Sequence, residues 1–173
     1  MPRSRPSAEV LLISLFLAAP AALALETDRE QTMQIDADHA KGDAAAGTTL
    51  LTGNVRIDQG SLSIRADRAE VEQKDGDIQR VNLSGAPAHL EQDIDQQGRL
   101  KADAERIEYL LAEQKVVLSG NVRIERPRGV MTGARIVYSL DTGEMNAGEQ
   151  GSRVRMTIAP KPKVAKPAEA PKS

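Results

Sequence analysis

The sequence contains no cysteine and no tryptophan, and it has three aromatic residues in all, Phe16, Tyr109 and Tyr138. The lack of cysteine excludes a disulfide framework, a thiolate nucleophile and a zinc site built on sulfur. The two histidines, His39 and His89, are too few for a clustered histidine metal site. We therefore predict a single domain with no metal and no cofactor, whose core is built almost wholly from aliphatic side chains.

Acidic residues outnumber basic ones in the body of the chain. Residues 25–158 hold 17 Lys and Arg against 23 Asp and Glu, and binding to phosphates needs a net basic face, so nucleic acid is not expected as a partner. The final stretch, residues 159–173, consists mainly of Pro, Lys and Ala. It cannot bury a core, and we expect a disordered tail whose lysines could also touch an anionic lipid or partner.

The first 24 residues have the pattern of a secretory signal peptide. Arg3 and Arg5 give a positive start, and residues 10–17 (VLLISLFL) form a short apolar run. That run is far below the roughly 20 residues that span a membrane, which argues against a retained anchor. The small-x-small sequence at residues 22–24 predicts cleavage after Ala24.

An internal repeat organises the rest of the chain. Residues 52–57 (TGNVRI) return as residues 119–124 (SGNVRI), 67 positions later. A second motif, residues 35–40 (IDADHA), recurs as residues 64–69 (IRADRA). The repeat predicts a fold made of two similar halves.

Apolar residues alternate with charged ones through most of both halves, for example over residues 55–58, 62–66, 122–125 and 153–158. This period of two is typical of antiparallel sheet with one buried and one solvated face. Asp75-Gly76 predicts a hairpin turn, and Gly53-Asn54 and Gly120-Asn121 predict bulges or positive φ at strand starts. We predict an all-β jelly roll or sandwich of about a dozen or more short strands.

No motif points to catalysis. Asp36 with Asp38 and Asp103 with Glu105 could form carboxylate pairs, but alternation turns them toward solvent, where pKa shifts are small. Residues 42–49 imitate a P-loop, yet Thr48 stands where the phosphate-binding lysine belongs. Residues 93–98 begin like a calcium loop that lacks its twelfth-position glutamate. We predict no catalytic residues and expect a protein that is not an enzyme.

Seven short motifs occur in a fixed order along the chain. They are I-x-A-D (35–38), TGNV-x-I-x-QG (52–60), I-x-A-D-x-A (64–69), G-x-PA (85–88), A-x-x-I-x-Y (104–109), V-x-LSGNV (116–122) and G-x-x-I-x-Y (133–138). Each is weak alone, but the series resembles the LptA family of periplasmic lipopolysaccharide transport proteins, which carries the OstA-like domain. The resemblance covers about residues 30–158, and we expect that domain over residues 25–158.

The resemblance implies a twisted, V-shaped antiparallel β-jelly roll, open at both ends and built from two similar halves. It further implies a subunit of a periplasmic bridge that accepts lipopolysaccharide from LptC at the inner membrane and passes it to LptD with LptE at the outer membrane. Copies would join head to tail by strand pairing, and lipid A chains would lie in the apolar interior. Two alternatives stay open: a structural filament or adaptor of the envelope, and the related periplasmic domain type of LptC.

The residues that alternate inward are the candidate lipid A lining, although an ordinary sandwich core would use the same positions. They are Met33, Ile35, Ala37, Val55, Ile57, Leu62, Ile64, Leu83, Leu90, Ile107, Tyr109, Leu111, Leu118, Val122, Ile124, Met131, Ile136, Tyr138 and Met145. Met33 and Ile35 also form the expected partner edge toward LptC. The opposite edge, toward the LptD N-terminal domain or the next copy, is expected at Val154, Met156 and Ile158.

Overall fold

The computed structural model describes residues 28–43, 45–94, 98–148 and 152–160. The signal peptide and nearly all of the expected tail lie outside the described residues. A single 3-10 turn, Asp28–Glu30, precedes ten strands: β1 Gln34–Asp36, β2 His39–Asp43, β3 Thr48–Gln59, β4 Leu62–Lys74, β5 Asp77–Ile94, β6 Gly98–Leu110, β7 Lys115–Arg126, β8 Gly129–Ser139, β9 Met145–Ala147 and β10 Arg155–Ile158. In this part of the chain no helix is long and apolar enough to cross a membrane.

All ten strands belong to one open antiparallel sheet, which confirms the all-β prediction. The six long strands β3 to β8 follow one another in sequence order across the sheet. Each edge of the sheet is made by two short strands on one long partner. At one edge β1 and β2 both pair with β3, and at the other β9 and β10 both pair with β8.

A row of β-bulges crosses the whole sheet at one level. The pairing register shifts between Thr52 and Val55 in β3, between Arg65 and Arg68 in β4, between Ser84 and Ala88 in β5, between Asp103 and Arg106 in β6, and between Ser119 and Val122 in β7. Bulges bend a strand and increase its twist. Because five of the six long strands shift register at the same level, the sheet doubles over along this row.

The bulge row divides the sheet into two limbs. Limb A contains β2 and β9 with residues 48–52, 68–74, 77–84, 106–110, 115–119 and 135–139. Limb B contains β1 and β10 with residues 55–59, 62–66, 88–94, 98–103, 122–126 and 129–133. The limbs face each other in the V-shaped jelly roll that the family resemblance implied. We call the gap between their tips, opposite the bulge row, the mouth.

The prediction of many short strands was wrong, and the bulges explain why. In β4 the inward series Leu62, Ile64 and Ala66 resumes at Ala69 and Val71 on the same face. A bulge resets the alternation without ending the strand, so one strand of 13 residues had the pattern of two. For the same reason the two Gly-Asn pairs lie in the middle of β3 and β7, not at strand starts.

The two Gly-Asn bulges are built alike, 67 residues apart. Gly53 and Asn54 have φ of 79° and 45°, and Gly120 and Asn121 have φ of 78° and 47°. The Asn54 side-chain amide donates to the Asp38 carboxylate at 2.8 Å, and Asn121 donates in the same way to Glu105. The repeat in the sequence therefore encodes a repeated bend.

The core fills the space between the limbs. Its buried hydrophobic residues are Val, Ile, Leu and Ala, with Tyr109 and Tyr138 as the aromatic members. This confirms the prediction of an aliphatic core. The opposite face of the sheet carries ion pairs such as Arg56 with Asp58 and Arg99 with Asp93.

Candidate functional site

The 19 predicted lining residues all lie in, or pack against, one continuous apolar cluster between the limbs. Thirteen are at most 2% exposed: Val55, Ile57, Leu62, Ile64, Leu83, Leu90, Ile107, Tyr109, Leu118, Val122, Ile124, Ile136 and Tyr138. The other six are half-buried: Met33, Ile35, Ala37, Leu111, Met131 and Met145. The candidate interior is therefore a single surface, and it extends from the β1 edge to the β8 and β9 edge.

The predicted lining omits ten further buried members of this interior, although one of them, Ala66, already lay in an alternating stretch, residues 62–66. They are Leu51, Ala66, Ala69, Val71, Val81, Leu100, Val116 and the alanines Ala88, Ala102 and Ala104. The signal that would have found them is the same alternation, continued to the next inward position of each strand. The alanines lie nearest the bulge row, where the limbs converge.

Two tyrosines of limb A cross the interior to two glutamines of limb B. Tyr109 in β6 donates from its hydroxyl to Gln59 Oε1 in β3 at 3.1 Å, and Tyr138 in β8 donates to Gln92 Oε1 in β5 at 2.8 Å. Both glutamines are buried, at 8% and 5% exposure. Each bond joins strands three apart in the sheet, so both hold the mouth closed in the same way.

Each glutamine also donates to the N-terminal segment of the described chain. Gln59 Nε2 donates to the Gln31 carbonyl at 3.2 Å, and Gln92 Nε2 donates to Asp28 Oδ2 at 3.0 Å. The side-chain amides of Gln59 and Gln92 thus each accept a hydrogen bond from a tyrosine and donate one to residues 28–31. Such relays satisfy polar groups that would otherwise be costly to bury.

Asp28 fixes this segment to the tip of limb B. Its carboxylate accepts from the backbone N–H of Ser61 and from the Ser61 hydroxyl, each at 2.7 Å. Gly60, in the turn between β3 and β4, has a positive φ of 59° and lies directly against Asp28. The 3-10 turn therefore covers one part of the mouth, and no motif or periodicity in the chain predicts this contact.

Burial raises the pKa of the Tyr138 hydroxyl above its ordinary value of 10.0. The positive charge of Arg126 acts against this rise, and the negative charge of Asp28 adds to it. The phenol is thereby kept neutral and able to donate to Gln92. A hydroxyl in this state is a structural donor, not an acid near neutral pH.

The two edges of the sheet differ in charge and in exposure. At the β10 edge Val154, Met156 and Ile158 are exposed by 40%, 56% and 66%, and Arg153 and Arg155 alternate with them. At the β1 edge Ile35 is half-buried opposite Ile57, and Asp36 points to the outer face. An exposed apolar strand at the margin of a sheet is a template for further strand pairing.

The carboxylate pairs considered for catalysis serve mainly as structural acceptors. Asp38 and Glu105 accept from the bulge asparagines, and Asp103 lies 2.6 Å from His89 Nδ1 on the neighbouring strand. Within the described ranges, no group of three or more His, Asp or Glu residues could hold a metal ion.

Outer-face ion pairs hold two aspartates in the charged form. The hydrogen bond from Arg99 lowers the pKa of Asp93. Partial burial opposes ionisation of Asp58, but the hydrogen bonds of Arg56 and Ser63 and the positive charges of Arg56 and Arg65 together outweigh it, and the pKa of Asp58 is lowered. These exposed ion pairs contribute little to the free energy of unfolding, and their charges keep the outer face solvated.

The chain matches one protein family over residues 34–144, the LptA/(LptD N-terminal domain) LPS transport proteins. Among curated proteins it is 32% identical over 151 residues to the lipopolysaccharide export system protein LptH of Pseudomonas aeruginosa, covering 86% of this chain and 85% of that protein. It is 30% identical over 154 residues to the lipopolysaccharide export system protein LptA of Escherichia coli K12, covering 87% of this chain and 83% of that protein.

A solved structure shares the fold. The crystal structure of LptH, described as the LptA homologous periplasmic component of the lipopolysaccharide transport device of P. aeruginosa, superposes with a TM-score of 0.71 at 29% identity. The match covers 78% of this chain and 100% of that one. The doubled-over open sheet is therefore a fold that a known transport component adopts.

Proposed function

The chain belongs to the LptA/LptD N-terminal domain family of LPS transport proteins, and we propose that it is a periplasmic subunit that binds lipopolysaccharide and passes it toward the outer membrane. The observation that carries this proposal is the continuous apolar interior, which reaches from one sheet edge to the other. We further propose export by the signal peptide, with cleavage near Ala24, and a role that involves no catalysis.

Lipid A acyl chains are the proposed occupants of the interior. The lining is aliphatic and offers few directed contacts, so an acyl chain would be held in proportion to its buried area, about 25 cal/mol per Å². Such contact allows sliding, since every position along the surface is nearly equivalent. A pocket with many buried hydrogen-bonding groups would instead fix its ligand in one place.

The interior is closed by its own side chains, so cargo must separate the limbs. Separation of the limbs at the mouth breaks the hydrogen bonds from Tyr109 to Gln59 and from Tyr138 to Gln92. Each bond contributes about 0.5–1.5 kcal/mol net to stability. Each acyl methylene that enters contributes about 0.8 kcal/mol. A few methylenes therefore offset both bonds, and lipid entry is energetically reasonable.

The two edges are the proposed contacts with neighbouring subunits. LptC would pair with the β1 edge at Met33 and Ile35, and the LptD N-terminal domain, which acts with LptE, would pair with the β10 edge at Val154, Met156 and Ile158. A second copy could replace either partner, which gives head-to-tail assembly by strand addition. The exposed apolar face of β10 supports this proposal because it would be buried by an added strand.

Photo-crosslinking in cells tests the route of the lipid. A photoreactive amino acid at Ile35, Tyr109 or Leu118 should capture lipopolysaccharide, since these residues face the interior. The matched outer-face positions Arg65 and Arg123 should not. Adducts from the outer positions alone would overturn the interior route.

A structural filament or adaptor that carries no lipid is the second candidate, and the tight burial of the interior favours it. It would keep the strand pairing at the edges. The purified protein would then form filaments but show no saturable binding of lipopolysaccharide. Saturable binding that interior substitutions weaken would exclude this candidate.

A further inference from the structure

Arg126 occupies an inward position at the end of β7. It follows Val122 and Ile124 on the buried face of that strand, and it pairs with Gly129 at the tip of limb B. It also lies 67 residues after Gln59, so it is the repeat counterpart of a glutamine that closes the mouth. The chain thus places a cation where the other half places a neutral amide.

The guanidinium of Arg126 is incompletely satisfied. One terminal nitrogen donates to the Gly143 carbonyl at 3.1 Å, across the mouth in the turn between β8 and β9. Nε is buried and has no hydrogen-bond partner. Over the described ranges, no carboxylate lies within 4 Å of this side chain. A half-buried cation with a free donor requires an explanation, because such groups are costly to bury unpaired.

The surroundings of Arg126 combine charge with an apolar wall. Its positive charge reaches the Tyr138 hydroxyl, which is also within electrostatic range of Asp28. The Asp28 carboxylate already accepts hydrogen bonds from Ser61 and Gln92. Behind Arg126 lie Ile124 and the aliphatic interior. A cation at the rim of an apolar groove matches an amphiphile that has an anionic head and acyl tails.

We propose that Arg126 binds a phosphate group on the head of the lipid whose acyl chains enter the interior. The inference rests on the proposed lipid-binding function and adds the residue at the mouth that contacts the head group. When the limbs separate, Arg126 leaves the Gly143 carbonyl, and its Nε and a terminal nitrogen face one anion. Arginine suits this role because its planar fork donates two parallel hydrogen bonds to a phosphate.

The test compares lipid A that carries its phosphates with the same lipid A after enzymatic dephosphorylation. Arg126→Gln, which installs the residue of the other repeat, should weaken binding of the phosphorylated lipid about 10- to 100-fold. Binding of the dephosphorylated lipid should stay unchanged, which also shows that the variant is folded. Arg126→Lys should recover part of the loss, since it keeps the charge but not the fork.

Arg128→Gln is the matched control, because Arg128 is exposed in the turn that follows β7, two residues after Arg126. Its backbone carbonyl, which the substitution keeps, accepts from the Ala159 N–H at 2.9 Å. This variant should bind both lipids like the wild type. An equal loss of affinity for both lipids, or no loss for either, would overturn the inference about Arg126. Neither result would contradict the proposed lipid-binding function. Competition by millimolar inorganic phosphate alone, as strong as that by the lipid, would also overturn the inference about Arg126, since the site would then recognise a free anion. Failure of the wild type to bind either lipid would overturn the proposed function as well.

Discussion

The hydroxyl of Tyr138 donates a 2.8 Å hydrogen bond to Gln92 Oε1 from the opposite limb of the sheet. Both residues are buried, and they are 46 positions apart in the chain. Tyr109 and Gln59 repeat the arrangement two strands away. The chain therefore uses both of its buried aromatic residues as struts between the limbs, with their rings in the core and their hydroxyls at the mouth.

Removing the Tyr138 hydroxyl should destabilise the fold. Tyr138→Phe leaves Gln92 Oε1 buried without its donor, a loss of about 1–3 kcal/mol in the free energy of unfolding. Urea denaturation of the wild type and the variant measures it. In the Tyr138→Phe/Gln92→Met double variant the two effects should not add, because both remove the same bond. Additive losses would show that the bond contributes nothing.

The same hydroxyl should make stability depend on alkaline pH. Folding raises the pKa of Tyr138 above its ordinary value of 10.0, so above about pH 10 the unfolded chain loses this proton before the folded one does. The free energy of unfolding should therefore fall as pH rises through this range. Denaturation curves from pH 8 to 11 should show a smaller fall for Tyr138→Phe than for the wild type. Parallel pH profiles would contradict the prediction.

Asp28 should anchor the N-terminal segment over the mouth. Asp28→Ala removes the acceptor for Ser61 and for Gln92, and we expect a loss of about 1–3 kcal/mol. Amide hydrogen exchange of residues 28–36 should become faster at the same time. Glu30→Ala is the control, since Glu30 is exposed in the same turn. Equal behaviour of the two variants would show that Asp28 fixes nothing.

The Gly-Asn bulge should tolerate no side chain at its first position. A Cβ on Gly120 would lie 2.5 Å from the Glu105 carboxylate, and φ is already 78°. Gly76 has a similar φ of 92° but nothing within 4 Å of its Cβ position. Gly76→Ala should therefore show backbone strain alone, about 1 kcal/mol. Gly120→Ala should cost clearly more in a thermal or urea melt, and an equal cost would mean that Glu105 moves aside freely.

Opposite charges at the two edges should guide head-to-tail assembly. Asp36 lies on the β1 edge and Arg155 on the β10 edge, so Asp36→Arg or Arg155→Asp alone should weaken self-association. The double variant should recover it by exchanging the charges. Analytical ultracentrifugation at several salt concentrations measures the assembly. No recovery in the double variant would place these two residues away from the junction.

The alternation of apolar residues was enough to predict the sheet and most of its inward face. The bulge row was harder, because a bulge such as that between Ala66 and Ala69 resembles the end of a strand. Gln59 and Gln92 were missed because a polar residue on the inward register breaks the apolar alternation that identifies a buried position. Their partners are separated by 50 and 46 residues, and alternation says nothing about which strands face each other across a core.

The bulge row also sets how the molecule can grow. The edge strands are interrupted at the same level as the long ones, with Asp38 bonded to the Gly53 carbonyl at the break between β1 and β2. At the other edge the break between β9 and β10 on β8 lies at this level too, so both margins of the sheet bend with its middle. A further unit that continued the sheet at either edge would therefore lengthen the apolar interior along the bulge row.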